Sequence, residues 1–244
     1  MKGGGGKLRT RRKRKVRGPR ERQLHFEDRM WGGRRRGAGR PKDAGSGASH
    51  LSRSPLASRF PVHVTLKVDP DLPSLRQKRA FAALRRAFVA GCKGTVELGG
   101  FRLVHFSVQH NHVHLLVEGK NREHLSRGLQ GLQVRMAKGL NRVWGRKGKV
   151  FPERYFEHIL RTPLEVKNVL RYVIWNAHKH RVLRWHRSRP DVDLHDPYAS
   201  GPWLRGWKKG TRPPIPRGPT PVTEACTWLM RVGWKRHGLF PMLS

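Results

Sequence analysis

Residues 101–119 read FRLVHFSVQHNHVHLLVEG, two apolar-rich runs on either side of the polar pair His110-Asn111. In the first run Val104, Phe106 and Val108 fall on alternate positions. In the second, Val113, Leu115 and Val117 alternate with His112, His114 and Leu116. Period-two spacing marks a half-buried strand. Two such runs joined by a short polar turn form an antiparallel hairpin, and the rest of the domain is placed by working outward from it.

On the N-terminal side, Val62, Val64, Leu66 and Val68 alternate with His63, Thr65 and Lys67, a further strand closed by Pro70. Between the two, Leu75, Phe81, Leu84 and Phe88 give helical spacing over 72–91, with Arg85 and Arg86 outside and Gly91 as a plausible stop. On the C-terminal side, Leu125, Leu129, Leu132, Met136, Leu140 and Val143 step by three and four. That is an amphipathic helix whose outer face carries Arg127, Arg135, Lys138 and Arg142. A short strand is expected around 155–160. Thr162-Pro163-Leu164-Glu165 then supplies an N-cap, a first-turn proline and a capping-box glutamate for a helix running to about His180. Strand, helix, two strands, helix, strand, helix predicts a ferredoxin-like α+β domain over 60–182, an antiparallel sheet with helices on it.

The 244-residue chain has 53 Lys+Arg against 16 Asp+Glu, a formal net charge of +37. Self-repulsion of that size points to a polyanionic partner, with nucleic acid the default. Residues 1–59 hold 19 of the basic residues and four acids, a net of +15, with many glycines and almost no periodic apolar positions. They are expected to be a disordered basic arm. Within it, Arg34, Arg35 and Arg36 precede Gly37-Ala38-Gly39-Arg40-Pro41-Lys42, a segment resembling an AT-hook core. A flat Gly-Arg-Pro segment can enter a narrow minor groove with arginine leading. The remaining +22 belongs to residues 60–244, so the predicted domain and its extension are basic too.

Residues 183–244 form a Pro/Gly/Trp-rich extension in which 223–236 could make one short helix. Trp203, Trp207, Trp228 and Trp234 lie there; packing on the domain is favoured over stacking on bases. No run approaches the roughly 18 apolar residues of a membrane span. The basic start has no apolar segment after it, unlike a secretory signal. With only Cys92 and Cys226, neither a disulfide scaffold nor an all-cysteine zinc site is expected, and the setting reads as intracellular.

His112 and His114, two apart on a strand, present their imidazoles on the same side. Two neutral imidazoles one strand repeat apart can hold a divalent metal, with a third ligand from elsewhere. Tyr172 and Asn176, four apart on the last predicted helix, share a face. The Asn176 carbonyl suits a hard cation such as Mg²⁺ or Mn²⁺. If that helix covers the hairpin, a phenol stands beside a metal-bound phosphate and can attack phosphorus. His63 and His105 lie on the polar sides of their strands and read as structural or DNA-contacting. Glu118 shares the face of the two histidines, which keeps open a water-based metallohydrolase. Tyr155 is the rival nucleophile, although a strand tyrosine beside Phe156 more often packs.

The combination resembles the single-tyrosine HUH transposases, and within them the REP-associated tyrosine transposases. His112-Val113-His114-Leu115-Leu116-Val117 is similar to their HUH strand, and Arg171-Tyr172-Val173-Ile174-Trp175-Asn176 to their nucleophile helix. Pro61-Val62-His63-Val64-Thr65 resembles their first strand. The chain departs at Gln109-His110, where many members have Met-Pro, and at Ala177, where many have proline. The resemblance implies a metal-dependent single-stranded DNA endonuclease and strand transferase acting on hairpin-bearing elements. Cleavage would leave a 5′-phosphotyrosine on Tyr172 and a free 3′-OH, with His112, His114 and Asn176 as metal ligands. Its expected partners are single-stranded and hairpin DNA, contacted by the basic arm (Arg34, Arg35, Arg36, Arg40, Lys42), His63, Arg127 and Arg135. It also implies a bacterial, cytoplasmic, nucleoid-associated protein and a possible homodimer in which the tyrosine helix completes a partner's site. The competing expectation is an inactive or domesticated relative that binds structured nucleic acid by charge alone.

Overall fold

The computed structural model describes residues 53–175 and 196–241, without the side chains of 94–98. The elements run β1 (Val62–Lys67), α1 (Lys78–Leu98), β2 (Phe101–Val108), β3 (His112–Gly119), α2 (Arg122–Val143), β4 (Phe156–Ile159) and α3 (Pro163–Ile174). A one-turn helix, α4 (Trp228–Arg231), follows in the extension. The sheet order is β2-β3-β1-β4, and every neighbouring pair is antiparallel. This is the ferredoxin-like α+β arrangement that the sequence predicts.

The alternation decides which residues go to which side. Val62, Val64, Leu66, Val113, Leu115 and Val117 pack against Leu84 and Phe88 of α1 and Leu125, Leu129, Leu132, Met136 and Leu140 of α2. The opposite face carries a second core, in which Val104 and Leu116 meet Val166, Leu170, Val173 and Ile174 of α3. The C-terminal extension completes that second core with Leu204, Leu229, Met230, Trp234 and Phe240. α3 therefore lies over the face from which the polar residues of β1 and β3 project.

Two expectations are corrected here. Gly91 does not stop α1; it lies inside the helix, where an added Cβ would come within 3.0 Å of Leu132 Cδ1. The missing side chain lets α1 and α2 approach closely. The helix ends instead before Gly99 and Gly100, both at positive φ, the conformation in which glycine closes a helix. The strand β2 also does not keep a single alternation. A bulge between Leu103 and His105 sends Val104 to the α3 side while Phe106 and Val108 stay with α1 and α2.

From Asp196 onward, the chain runs along the outer edge of β2. Val108 N–H donates to the Tyr198 carbonyl, and Ser200 N–H to the Phe106 carbonyl, both at 2.9 Å. The exposed edge is thus covered. Arg76 fastens this segment: its guanidinium meets both Asp196 carboxylate oxygens, at 2.7 and 2.9 Å, and donates to the Val108 carbonyl.

His105, buried on the same strand, is held at burial-depressed basicity, with a pKa of about 4 against the usual 6.5. Its Nδ1 lies 3.0 Å from Ser200 Oγ. The unfolded chain therefore takes up this proton first. Stability from the neutral ring is fully present above about pH 6.5 and drains away as pH falls through 4. By pH 4 about 3 kcal/mol of it has been lost. Denaturant titrations at neutral pH and pH 4 are expected to show that loss in the wild type and a correspondingly smaller one in His105→Asn.

Candidate active site

β1 and β3 run side by side with Thr65 opposite His114 and Lys67 opposite His112. Apart from Leu116, the apolar residues of both strands fill the α1/α2 core, so His63, Thr65, His112 and His114 are left facing α3. The capping box predicted for α3 is present: the Thr162 hydroxyl accepts from Glu165 N–H, and the Glu165 carboxylate accepts from the Thr162 and Arg161 N–H groups. Those backbone donors, Arg161 foremost, hold the Glu165 carboxyl below its ordinary range. A helix fixed at its start and buried along Val166, Leu170 and Val173 delivers Tyr172 over the hairpin.

The site is organised around one buried imidazole. His114 Nε2 lies 3.0 Å from His112 Nε2 and 3.2 Å from the Tyr172 hydroxyl. On the other side of the ring, Nδ1 lies 3.1 Å from Thr65 Oγ1 and 3.2 Å from His63 Nε2. His112 Nδ1 faces the Asn111 side-chain oxygen at 2.8 Å. An amide oxygen only accepts, so His112 carries its proton on Nδ1 and keeps the Nε2 lone pair. For His114, the Thr65 hydroxyl can accept from Nδ1 in the same way, freeing Nε2. Burial, and secondarily His158, depresses His63 to a pKa of about 4, so this third ring is neutral at pH 7.

The donor set fits a divalent cation at His112 and His114. Their Nε2 atoms converge at 3.0 Å, the spacing of two neighbouring nitrogens on one ion held at about 2.1 Å. Each ring's remote nitrogen faces an oxygen that can fix its tautomer, the usual support for a metal-binding histidine. Among the described residues, no group of three or more His, Cys, Asp and Glu is arranged to hold a metal. The predicted third ligand, Asn176, lies outside the described residues, as do the arm residues Arg34, Arg35, Arg36, Arg40 and Lys42.

The other candidates are sorted by the fold. His63 touches the back of His114, away from Nε2, and so positions that ring. His105 is engaged with Ser200. Glu118 is buried and turned to the extension, where it accepts from Cys226 N–H, Thr227 N–H and the Thr227 hydroxyl at 2.7–2.9 Å. It anchors the start of α4 and offers no free carboxylate to the histidines. Glu118→Ala is expected to cost about 2–4 kcal/mol by stranding those donors. Glu118→Gln should retain most of the stability in the same denaturant titration.

Tyr155 packs against the α1/α2 core with the Arg53 guanidinium 3.7 Å from its ring centre. Arg127 and Arg135 are exposed on α2, separated by the sheet from Tyr172, and Arg127 is paired with Glu123 at 2.9 Å. The extension's tryptophans divide: Trp234 is buried, Trp207 packs edge-on against Trp175, and Trp228 is 48% exposed. The sequence reading missed Thr65 and Asn111. Thr65 could have been found only through the strand register that sets it opposite His114.

No family model matches the chain, and no curated protein matches it. Among solved structures, it is similar to a REP-associated tyrosine transposase bound to a REP hairpin, at 17% identity and a TM-score of 0.44. That match covers 55% of this chain and 74% of the other. It is also similar to a bacterial tRNA(His) guanylyltransferase-like protein in complex with GTP, at 13% identity and a TM-score of 0.38. Here 56% of this chain and 72% of the other are covered. Likenesses this distant carry no functional weight, and the chemistry rests on the site itself. No helix among the described residues is long and apolar enough to cross a membrane.

Proposed function

We propose that the protein is a single-stranded DNA endonuclease and strand transferase that uses Tyr172 as its nucleophile. The observation that carries this reading is the Tyr172 hydroxyl at 3.2 Å from an imidazole nitrogen that itself converges on a second imidazole. Binding by charge alone requires no such cluster. In the reaction, the Tyr172 phenol gives up its proton and its oxygen forms a bond to phosphorus. The P–O3′ bond breaks, and the departing oxygen takes up a proton to leave a 3′-OH. The fragment on the 3′ side of the break stays on Tyr172 through its 5′-phosphate until a second 3′-OH reverses the step on another end.

A divalent Mg²⁺ or Mn²⁺ at His112 and His114 would polarise the scissile phosphate and offset its charge. Thr65, His63 and Asn111 hold the two rings in register for that role. The basic surface concentrates the polyanion around the site. Hairpin-bearing DNA is the substrate class proposed, with the scissile phosphate of the single strand beside the hairpin brought to His112, His114 and Tyr172. To test this, 5′- and 3′-labelled single strands bearing imperfect palindromes are incubated with protein and Mn²⁺, then resolved under denaturing conditions. A metal-dependent break is expected that releases the 5′-labelled fragment with a free 3′-OH and leaves the 3′-labelled fragment protein-retarded. Binding without any break across a broad substrate set would favour the inactive nucleic-acid binder instead.

A further inference from the structure

The C-terminal extension closes a cleft of about 480 Å³ against the β2 side of the sheet. Val104 and His105 of β2 line it, together with Trp203, Arg212, Ile215 and residues from α4 onward. Val104 of the α3-side core lines it together with Val222 and Trp203, which pack with the α1/α2 core, so the cleft sits at the β2 edge of the sheet.

Its lining has an uneven chemistry. The one carboxylate, Glu224, is ion-paired with Arg205. Arg212, Arg231 and Lys235 also line the cleft, and none of them has an ion-pair partner among the described residues. Beside these cations stand Ile215 and Val232, 53% and 50% exposed, and the half-buried indole of Trp203. Unpaired cations next to an open apolar and aromatic wall match one unit of an unpaired strand, which has a phosphate at one end and a flat base at the other. A free anion would leave the apolar wall wet, and an apolar peptide would leave the cations unanswered.

We propose that this cleft is a subsite for an unpaired nucleotide of a single DNA strand, with phosphate on Arg231 and Lys235 and base against Trp203, Ile215 and Val232. The subsite rests on the single-strand reading given above and extends it: the strand would be held at β2 while another part of it reaches Tyr172.

The test uses the full chain in metal-free buffer, so no cleavage step enters. Fluorescein-labelled oligothymidylate is titrated by anisotropy over a salt series. Arg231→Gln/Lys235→Gln is compared with Arg86→Gln/Lys93→Gln, an equal charge change at exposed positions on α1, across the sheet. The cleft pair is expected to lower the slope of log K against log salt by about 1.4, two contacts at roughly 0.7 each. It should also weaken binding about tenfold more than the α1 pair. Oligothymidylate carrying 5-iodouracil should photo-crosslink to the peptide containing Trp203. Equal slopes and affinities for the two pairs, or crosslinks confined to peptides outside 203–235, would overturn the proposal. A cleft effect without any Tyr172 adduct would leave the subsite standing and sink the nuclease reading. An adduct with indistinguishable pairs would do the reverse.

Discussion

Tyr172→Phe is expected to abolish covalent attachment of single-stranded DNA to the protein and to slow cleavage at least about a thousandfold. Stability should change by no more than about 1 kcal/mol. The asymmetry follows from what the substitution removes. The ring keeps its edge-on packing on His114, 4.9 Å between centres, and α3 keeps its cap and its buried face. Only the hydroxyl goes, and with it the hydrogen bond to His114. If the site merely held DNA, the same substitution would leave every readout nearly unchanged. Cleavage under Mn²⁺ and a denaturant titration on the same preparation separate the two cases.

The largest effect on stability is expected at Arg76. Its guanidinium makes a two-point contact with Asp196, whose side chain is fully buried, and it also stacks 4.3 Å from the centre of the Tyr198 ring. Asp196 further accepts from Tyr198 N–H, so the pair fixes the segment that covers the β2 edge. Arg76→Met leaves a carboxylate buried without its cation, at a cost of about 3–5 kcal/mol. That is a large share of the 5–15 kcal/mol typical of a whole domain. Adding Asp196→Asn to the same chain should recover much of the loss, because the stranded charge is then gone. Urea midpoints of the wild type, the single and the double variant check this. Equal midpoints for single and double variants would show that the packing of Arg76, and not the buried charge, sets the cost.

How far the molecule could be read from its sequence depends on the range of the interaction. The hairpin, the first strand and the capping box around Thr162 are local patterns, and each appears where its spacing puts it. The pairing of His112 with His114 is also local, since it needs only the strand's alternation. Placing Tyr172 over them needed the order of the elements as well, because α3 must cross to the face that α1 and α2 leave open.

What escaped was set by contacts between distant residues. Gly91 looked like a helix stop because its role is to let Leu132 of another helix come close. The bulge at Val104 is invisible in a run whose residues are apolar on both sides. Glu118 shares a face with the two histidines, yet the backbone of residues 226 and 227 claims its carboxylate. Thr65 is silent until β1 is laid against β3. The extension's share of the α3-side core could not be read from scattered tryptophans, since only Trp234 is fully enclosed while Trp228 stays open.

The most direct measurement of the nucleophile is mass spectrometry of the protein after reaction. A cleavable single strand is incubated with the wild type and Mn²⁺, the mixture is digested with nuclease and protease, and nucleotide-bearing peptides are sequenced. Nucleotide mass linked through a 5′-phosphate to Tyr172 is the result predicted. Cleavage that leaves a free 5′-phosphate with no adduct, or an adduct on Tyr155 or Tyr198, would contradict it.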